Sequence, residues 1–190
     1  MKKILLTAWA IIILASNANA DSPTDKGVYS LSGSISYSRA NGGGGTMISI
    51  APAFMYFVYP NLAVGSSILY WDFKTDNSEN TAYGIGPVAR YYFGKDTIYP
   101  FASVEYLYTK NKNEINPSGS PSFSSRGHGD DLTLGLGVDY FLARNAALET
   151  IVRYTFSHDE NDTSSLGSTT NFSSRGENLF IGIGVNVFIF

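Results

Sequence analysis

The stretch FIGIGVNVFIF, residues 180–190, decides the fold. Ile181, Ile183, Val185, Val187 and Ile189 fall on one face, and Gly182, Gly184, Asn186 and Phe188 on the other. Successive side chains of a strand point to opposite sides, so a period of two is strand geometry. This strand separates an apolar face from a small or polar one. The same stripe recurs along the chain at intervals, roughly eight times in all.

The N-terminus reads differently. Lys2 and Lys3 precede an apolar run from Ile4 to Ala15, and Ala18-Asn19-Ala20 forms an A-x-A site. This pattern predicts a cleaved export signal over residues 1–20, with one domain at 21–190. The apolar run is too short for a membrane-spanning helix, which needs about 20 residues. There is no cysteine, which excludes a lipid-modified cysteine anchor and a disulfide framework alike. Acidic side chains outnumber basic ones, 16 to 13, the margin widens once Lys2 and Lys3 leave, and no basic cluster suggests a nucleic-acid partner. Past the signal no apolar run is long enough to span as a helix. In lipid such a chain can satisfy its backbone only as a closed barrel.

Eight strands fit that requirement. The first, at 29–39, sets Tyr29, Leu31, Gly33, Ile35 and Tyr37 against Ser30, Ser32, Ser34, Ser36 and Ser38. A face of five serines is a poor core for a soluble sandwich and suits a barrel with a polar interior. Strand two carries Ile48, Ile50, Pro52, Phe54, Tyr56 and Val58 outward, and a tight turn at Tyr59-Pro60-Asn61 leads to strand three, at 62–73, where neither face is plainly polar. Strand four sends Tyr83, Ile85, Pro87, Ala89 and Tyr91 out and Arg90 and Tyr92 in. A proline cannot donate to the ladder, so Pro52 and Pro87 each predict a bulge or a local break in pairing. Strand five places Val104, Tyr106 and Tyr108 outward with Glu105 inward; strand six places Leu132, Leu134, Leu136 and Val138 outward with Asp139 inward; strand seven places Leu148, Val152 and Tyr154 outward with Glu149 and Arg153 inward.

Connections alternate between short turns and longer polar segments, at 41–45, 74–81, 110–129 and 157–176. Outer-membrane barrels alternate short periplasmic turns with longer extracellular loops in this way. Thirteen tyrosines and two tryptophans, many near strand ends, fit interfacial girdles, although aromatics favour strands in any case. FSSRG occurs at 123–127 and again at 172–176, and LGLGVDYF at 134–141 echoes IGIGVNVF at 181–188. The echo favours a repeated hairpin. The predicted fold is therefore all-β, an eight-stranded antiparallel up-and-down transmembrane barrel with both termini on the periplasmic side of a bacterial outer membrane.

YFVYPNLAVG at 56–65, GPVARYYFG at 86–94 and PFASVEYLY at 100–108, together with Pro52, resemble the small eight-stranded outer-membrane barrels, the OmpX-like and OmpA-transmembrane-like group. The resemblance covers essentially the whole mature chain, and its motifs are specific for the barrel rather than for one function. It implies the barrel assembly machinery as a partner. That family's C-terminal assembly signal usually puts the terminal Phe on the outward face, whereas Phe188 and Phe190 here fall in the inward register.

The inward charges are Arg90, Glu105, Asp139, Glu149 and Arg153. Charges inside a narrow barrel must be paired, which predicts an ion network filling the lumen. Arg90 and Glu105 sit on adjacent strands and are expected to meet, with Arg153 near Glu149 or Asp139. A pore or proton path is the alternative use of the same charges. Some barrels of this size edit lipid A, and only His128 and His158 could serve such chemistry. Ser157-His158-Asp159 are merely neighbours in sequence, and consecutive strand residues point apart. DENDTSS from Asp159 gathers carboxylates but lacks the glycine and terminal glutamate of a calcium loop. Arg39, Lys74, Lys110, Lys112, Arg126 and Arg175 lie near the outer strand ends, where they could meet lipopolysaccharide phosphates or simply be solvated. The functional expectation is a non-enzymatic surface barrel, with no catalytic residue, cofactor or metal. Its loops would serve envelope integrity, adhesion or contact with a host ligand, among outer-membrane lipids and lipopolysaccharide. A lipid A-modifying enzyme and a narrow channel are the alternatives.

Overall fold

The computed structural model describes residues 22–39, 45–94, 97–115, 123–165 and 168–190. The predicted signal at 1–20 lies outside them. Eight strands run in sequence: β1 Tyr29–Arg39, β2 Thr46–Tyr59, β3 Leu62–Lys74, β4 Ser78–Tyr92, β5 Ile98–Ile115, β6 Phe123–Ala143, β7 Ala146–Ser165 and β8 Ser168–Ile189. Each pairs antiparallel with its neighbour, and β8 returns to β1, closing the barrel. The β1–β8 ladder runs over five pairs, from Tyr29–Ile189 to Gly33–Val185, and closes the ring at that end.

Strand length divides the barrel. β1 to β4 have 11 to 15 residues and β5 to β8 have 18 to 22. The polar segments at 110–129 and 157–176 are therefore mostly strand and not loop. Lys110 pairs with His128 and Ile115 with Phe123; Ser157 pairs with Gly176 and Ser165 with Ser168. The segment at 74–81 likewise narrows to a hairpin, with Thr75 N–H donating to Ser78 C=O at 2.8 Å. The apolar stripe stops there because water replaces lipid outside and both faces become wet. Ladder hydrogen bonds need no apolar partner and continue.

The outer surface carries the predicted stripe. Ile35, Ile68, Ile85, Leu134, Leu136, Ile181 and Ile183 are all exposed, in a band bordered by aromatic side chains at both levels. Tyr29 packs on Phe54 and Tyr56 at the terminal end of the barrel, where residues 22–28 and Phe190 lie, and Tyr154 meets Phe156 edge-on at the opposite, far end. β3, ambiguous in sequence, turns Val64, Ile68 and Tyr70 outward and buries Ala63 and Ser67.

Both prolines interrupt pairing on one side without shifting the register. Pro52 pairs with Gly33 of β1, but the β2–β3 ladder skips from Ile50–Tyr70 to Ala53–Ser67. Pro87 pairs with Ser66, while the β4–β5 ladder skips from Ile85–Tyr108 to Val88–Glu105. Beside that gap the chains come close: a Cβ on Gly86 would lie 1.7 Å from the Tyr106 carbonyl oxygen, whereas one on Gly176 would meet nothing within 4 Å. Gly86→Ala is expected to destabilise the barrel by at least about 1–3 kcal/mol, the usual cost of overpacking, and Gly176→Ala to leave it unchanged. Urea unfolding in lipid vesicles distinguishes them.

The interior departs from a uniformly polar lumen. At the terminal end Met55, Phe57, Tyr92, Tyr99, Phe101 and Phe188 form a buried cluster with Val28. Segment 22–28 folds across this end. Gly27 N–H donates to Phe57 C=O at 3.0 Å and the Thr24 hydroxyl to Asn61 Oδ1 at 2.8 Å. Asn61 adopts a φ of 68°, a left-handed conformation that Asn tolerates in a tight turn. Its backbone N–H and C=O then bond Thr24 and Tyr92.

Candidate functional site: the lumen plug and the charged outer belt

Above the aromatic floor, four strands send one polar group each to a common centre. Arg90 comes from β4, Asp139 from β6, Glu149 from β7 and Asn186 from β8, all buried. Arg90 Nη1 donates to Glu149 Oε2 at 2.6 Å and to the Tyr92 hydroxyl at 3.3 Å. Tyr92 donates to Asp139 Oδ2 at 3.0 Å, and Asn186 Nδ2 donates to the same oxygen at 2.9 Å. The Arg90 guanidinium also lies 4.1 Å from the Phe101 ring centre. Arg153 stands 3.9 Å from Glu149 Oε1. Two guanidiniums and two carboxylates thus sit together with balanced formal charge, the arrangement that buried ions require.

The expected Arg90–Glu105 contact does not form. The β4–β5 register sets Ser103 opposite Arg90 and Val88 opposite Glu105. Glu105 is therefore two residues nearer the far end, and only partly buried. Arg90 instead crosses the lumen to β7. In an eight-stranded barrel the interior is just wide enough for side chains to fill, so strands that are not neighbours are within reach. Sequence reasoning passed over Tyr92 and Asn186 as bridging groups, although their inward register was readable.

The candidate cations occupy the outer face just beyond the apolar band. Continuing the ladders across strands gives three successive rows. Tyr108, Asp130, His158 and Arg175 form the first; Lys110, His128, Glu160 and Ser173 the second; Lys112 and Arg126 begin the third. Arg39 and Lys74 flank Thr46 at the top of the short strands. These cations differ in how they are engaged. Lys74 lies 2.7 Å from Glu79, Lys112 pairs with Glu114, and Lys110 rests 6.0 Å from the Tyr108 ring centre. Lys112 holds the Glu114 carboxyl below the usual glutamate range. Arg39, Arg126 and Arg175 make no ion pair among the described residues.

The two histidines share one carboxylate. His128 Nε2 lies 3.2 Å and His158 Nε2 3.7 Å from Glu160. Ser157 is on the lumen side, where its hydroxyl bonds Asp131. His158 points outward from the next position, so the serine and histidine stand on opposite faces of the wall. Of DENDTSS, only the side chains of Asp159 and Glu160 are among the described residues, and these too alternate faces. Among the described residues no set of three His, Asp or Glu side chains is placed to hold a metal ion.

Residues 6–187 match the outer membrane protein beta-barrel domain. The chain belongs to that family. As an outer-membrane β-barrel it is similar in fold to two solved structures. The translocator domain of autotransporter NalP from Neisseria meningitidis superposes with a TM-score of 0.58 at 14% identity, covering 97% of this chain and 68% of that one. Outer membrane protein AlkL in lipid bilayers gives 0.57 at 15% identity, covering 92% and 96%. No curated protein matches this barrel by sequence.

Proposed function

We propose that this outer-membrane barrel is a non-enzymatic surface protein, exported by the cleaved signal at 1–20 and inserted with its far end outside the cell. Its work would be done by the raised β5–β6 and β7–β8 hairpins and the charged belt beneath them, in envelope integrity, adhesion or contact with a host ligand. One observation carries this reading. The terminal end of the lumen is filled by the Arg90–Glu149 plug and its aromatic floor, while the wall rises well past the apolar band as polar strand. A plug at that end leaves no through passage, which favours recognition by the outer surface. The lipid A-editing alternative is disfavoured by Ser157 and His158 lying on opposite faces, and a lipid A mass spectrum unchanged by the protein is the expected result.

Shortening both hairpins, to Thr109 joined to Gly129 and to Ser157 joined to Gly176 by two-residue turns, is expected to leave insertion intact. Unheated protein should still migrate faster than boiled protein on a gel. Cell binding or serum survival conferred by the full chain should be lost. Retention of those properties in the doubly shortened barrel would move the functional surface elsewhere.

A further inference from the structure

The wall has one incomplete seam. β1 and β8 close the ring through five residue pairs, from Tyr29–Ile189 to Gly33–Val185, although β8 alone has 22 residues. Where pairing stops, an outward recess of about 560 Å³ opens, lined by Leu31, Gly33, Ile35, Pro52, Ile183 and Val185 among others. Its cause is local. Gly33 contributes no side chain, and a Cβ there would press on Ala51 O and Pro52 Cα at 2.9 Å. Pro52 contributes only a compact ring. Ile35 and Ile183 border the recess with 74% and 70% of their surface exposed, so it faces the hydrocarbon.

Two further features lie above it on the same outer face. β1 ends in Arg39 and β8 carries Arg175. Extending the Gly33–Val185 register upward brings Leu179 level with Arg39, with Arg175 four residues beyond. Both arginines are exposed, and neither has an ion pair among the described residues. Glu177, between them in height, accepts a hydrogen bond from the Tyr154 hydroxyl. Between recess and arginines, the facing edges at 34–39 and 179–184 are unpaired with one another. Backbone groups at that depth need partners, because lipid tails offer none.

The geometry points to the β1–β8 seam as a binding site for one phosphorylated lipid of the outer leaflet, of the lipid A class. An acyl chain would fill the recess, ester or amide carbonyls would accept from the bare strand edges, and a phosphate would lie between Arg39 and Arg175. Guanidinium groups recognise phosphate through two parallel charge-assisted hydrogen bonds, which selects arginine over lysine for the task. The inference rests on the orientation proposed above, with the far end outside.

The test uses the mature chain folded in detergent micelles and native mass spectrometry with three lipids: lipid A, lipid A stripped of its phosphates, and phosphatidylglycerol. One lipid A per barrel should be retained, and about tenfold less of either other lipid. The double variant Arg39→Ala with Arg175→Ala should lower lipid A retention about tenfold, equivalent to about 1.4 kcal/mol. Ile35→Trp, which fills the recess, should do the same, with Val185→Phe as a second filling variant should the first not fold. Lys110→Ala with Lys112→Ala, which lie away from the seam, should change retention less than twofold. Equal retention by wild type and the arginine variant overturns the site, as does an equal loss from the lysine variant. Phosphatidylglycerol bound as well as lipid A overturns the lipid class. Failure of the orientation itself would appear separately, as hairpins that a membrane-impermeant label cannot reach on intact cells.

Discussion

Glu149→Gln should lower the unfolding free energy of the barrel by about 3–5 kcal/mol, the cost of stranding one member of a buried ion pair. Glu149 is 3% exposed and is the carboxylate that Arg90 reaches, at 2.6 Å; Arg153 draws on its other oxygen. The amide keeps the shape and removes the charge, leaving Arg90 with the Tyr92 hydroxyl, the Phe101 ring and an Asp139 carboxylate reached only through Tyr92. Glu105→Gln, also inward but only partly buried and not bonded to Arg90, should cost less than about 1 kcal/mol. Glu114→Gln, on the exposed β5 extension, should do almost nothing. Urea titration of folded protein in vesicles, followed by Trp71 fluorescence and by gel mobility, measures all three. Equal losses for Glu149→Gln and Glu105→Gln would contradict the cross-lumen pairing.

Phe188→Ala should cost a similar amount, about 3–5 kcal/mol, as large-to-small changes of buried aromatics do. Its ring is fully buried, 4.9 Å from the Phe141 ring centre and 6.3 Å from that of Phe57, and its N–H donates to Asn145 C=O at 2.9 Å. Phe190 is only partly buried, with the Arg144 guanidinium 4.9 Å from its ring centre. Phe190→Ala should therefore cost less than half as much in the same titration. The contrast matters because the last strand uses an inward Phe to seal the floor. A larger loss at Phe190 would relocate the seal to the chain end.

The alternation that made eight strands readable arises from lipid on one side and a narrow lumen on the other, so it was legible where both conditions hold. Ile181 to Ile189 shows it most clearly, and the outward positions of β2, β4 and β6 follow the same logic. Past the apolar band the condition fails. Lys110, Asn111 and Lys112 alternate between faces as any strand residues do, yet every face is wet and composition alone makes them resemble loop. The charges of the plug were legible as inward groups because parity fixes direction. Their partners were not, because Arg90 meets Glu149 across three intervening hairpin registers that no local pattern encodes. Met55 and Phe57 were hidden for another reason: they lie between outward apolar residues, so β2 reads as continuously apolar and its inner face does not stand out. Segment 22–28 was silent, since its burial depends on Asn61 and Phe57, far along the chain.

The proposed function depends on the lumen being closed at its terminal end by the buried cluster and the Arg90–Glu149 network. Single-channel recording in a planar bilayer tests that closure most directly. The wild-type barrel, inserted and shown folded by its gel mobility, should add no steady conductance to the bare membrane. A stable open level in every insertion would contradict a closed lumen, and with it the assignment of function to the hairpins and the outer belt.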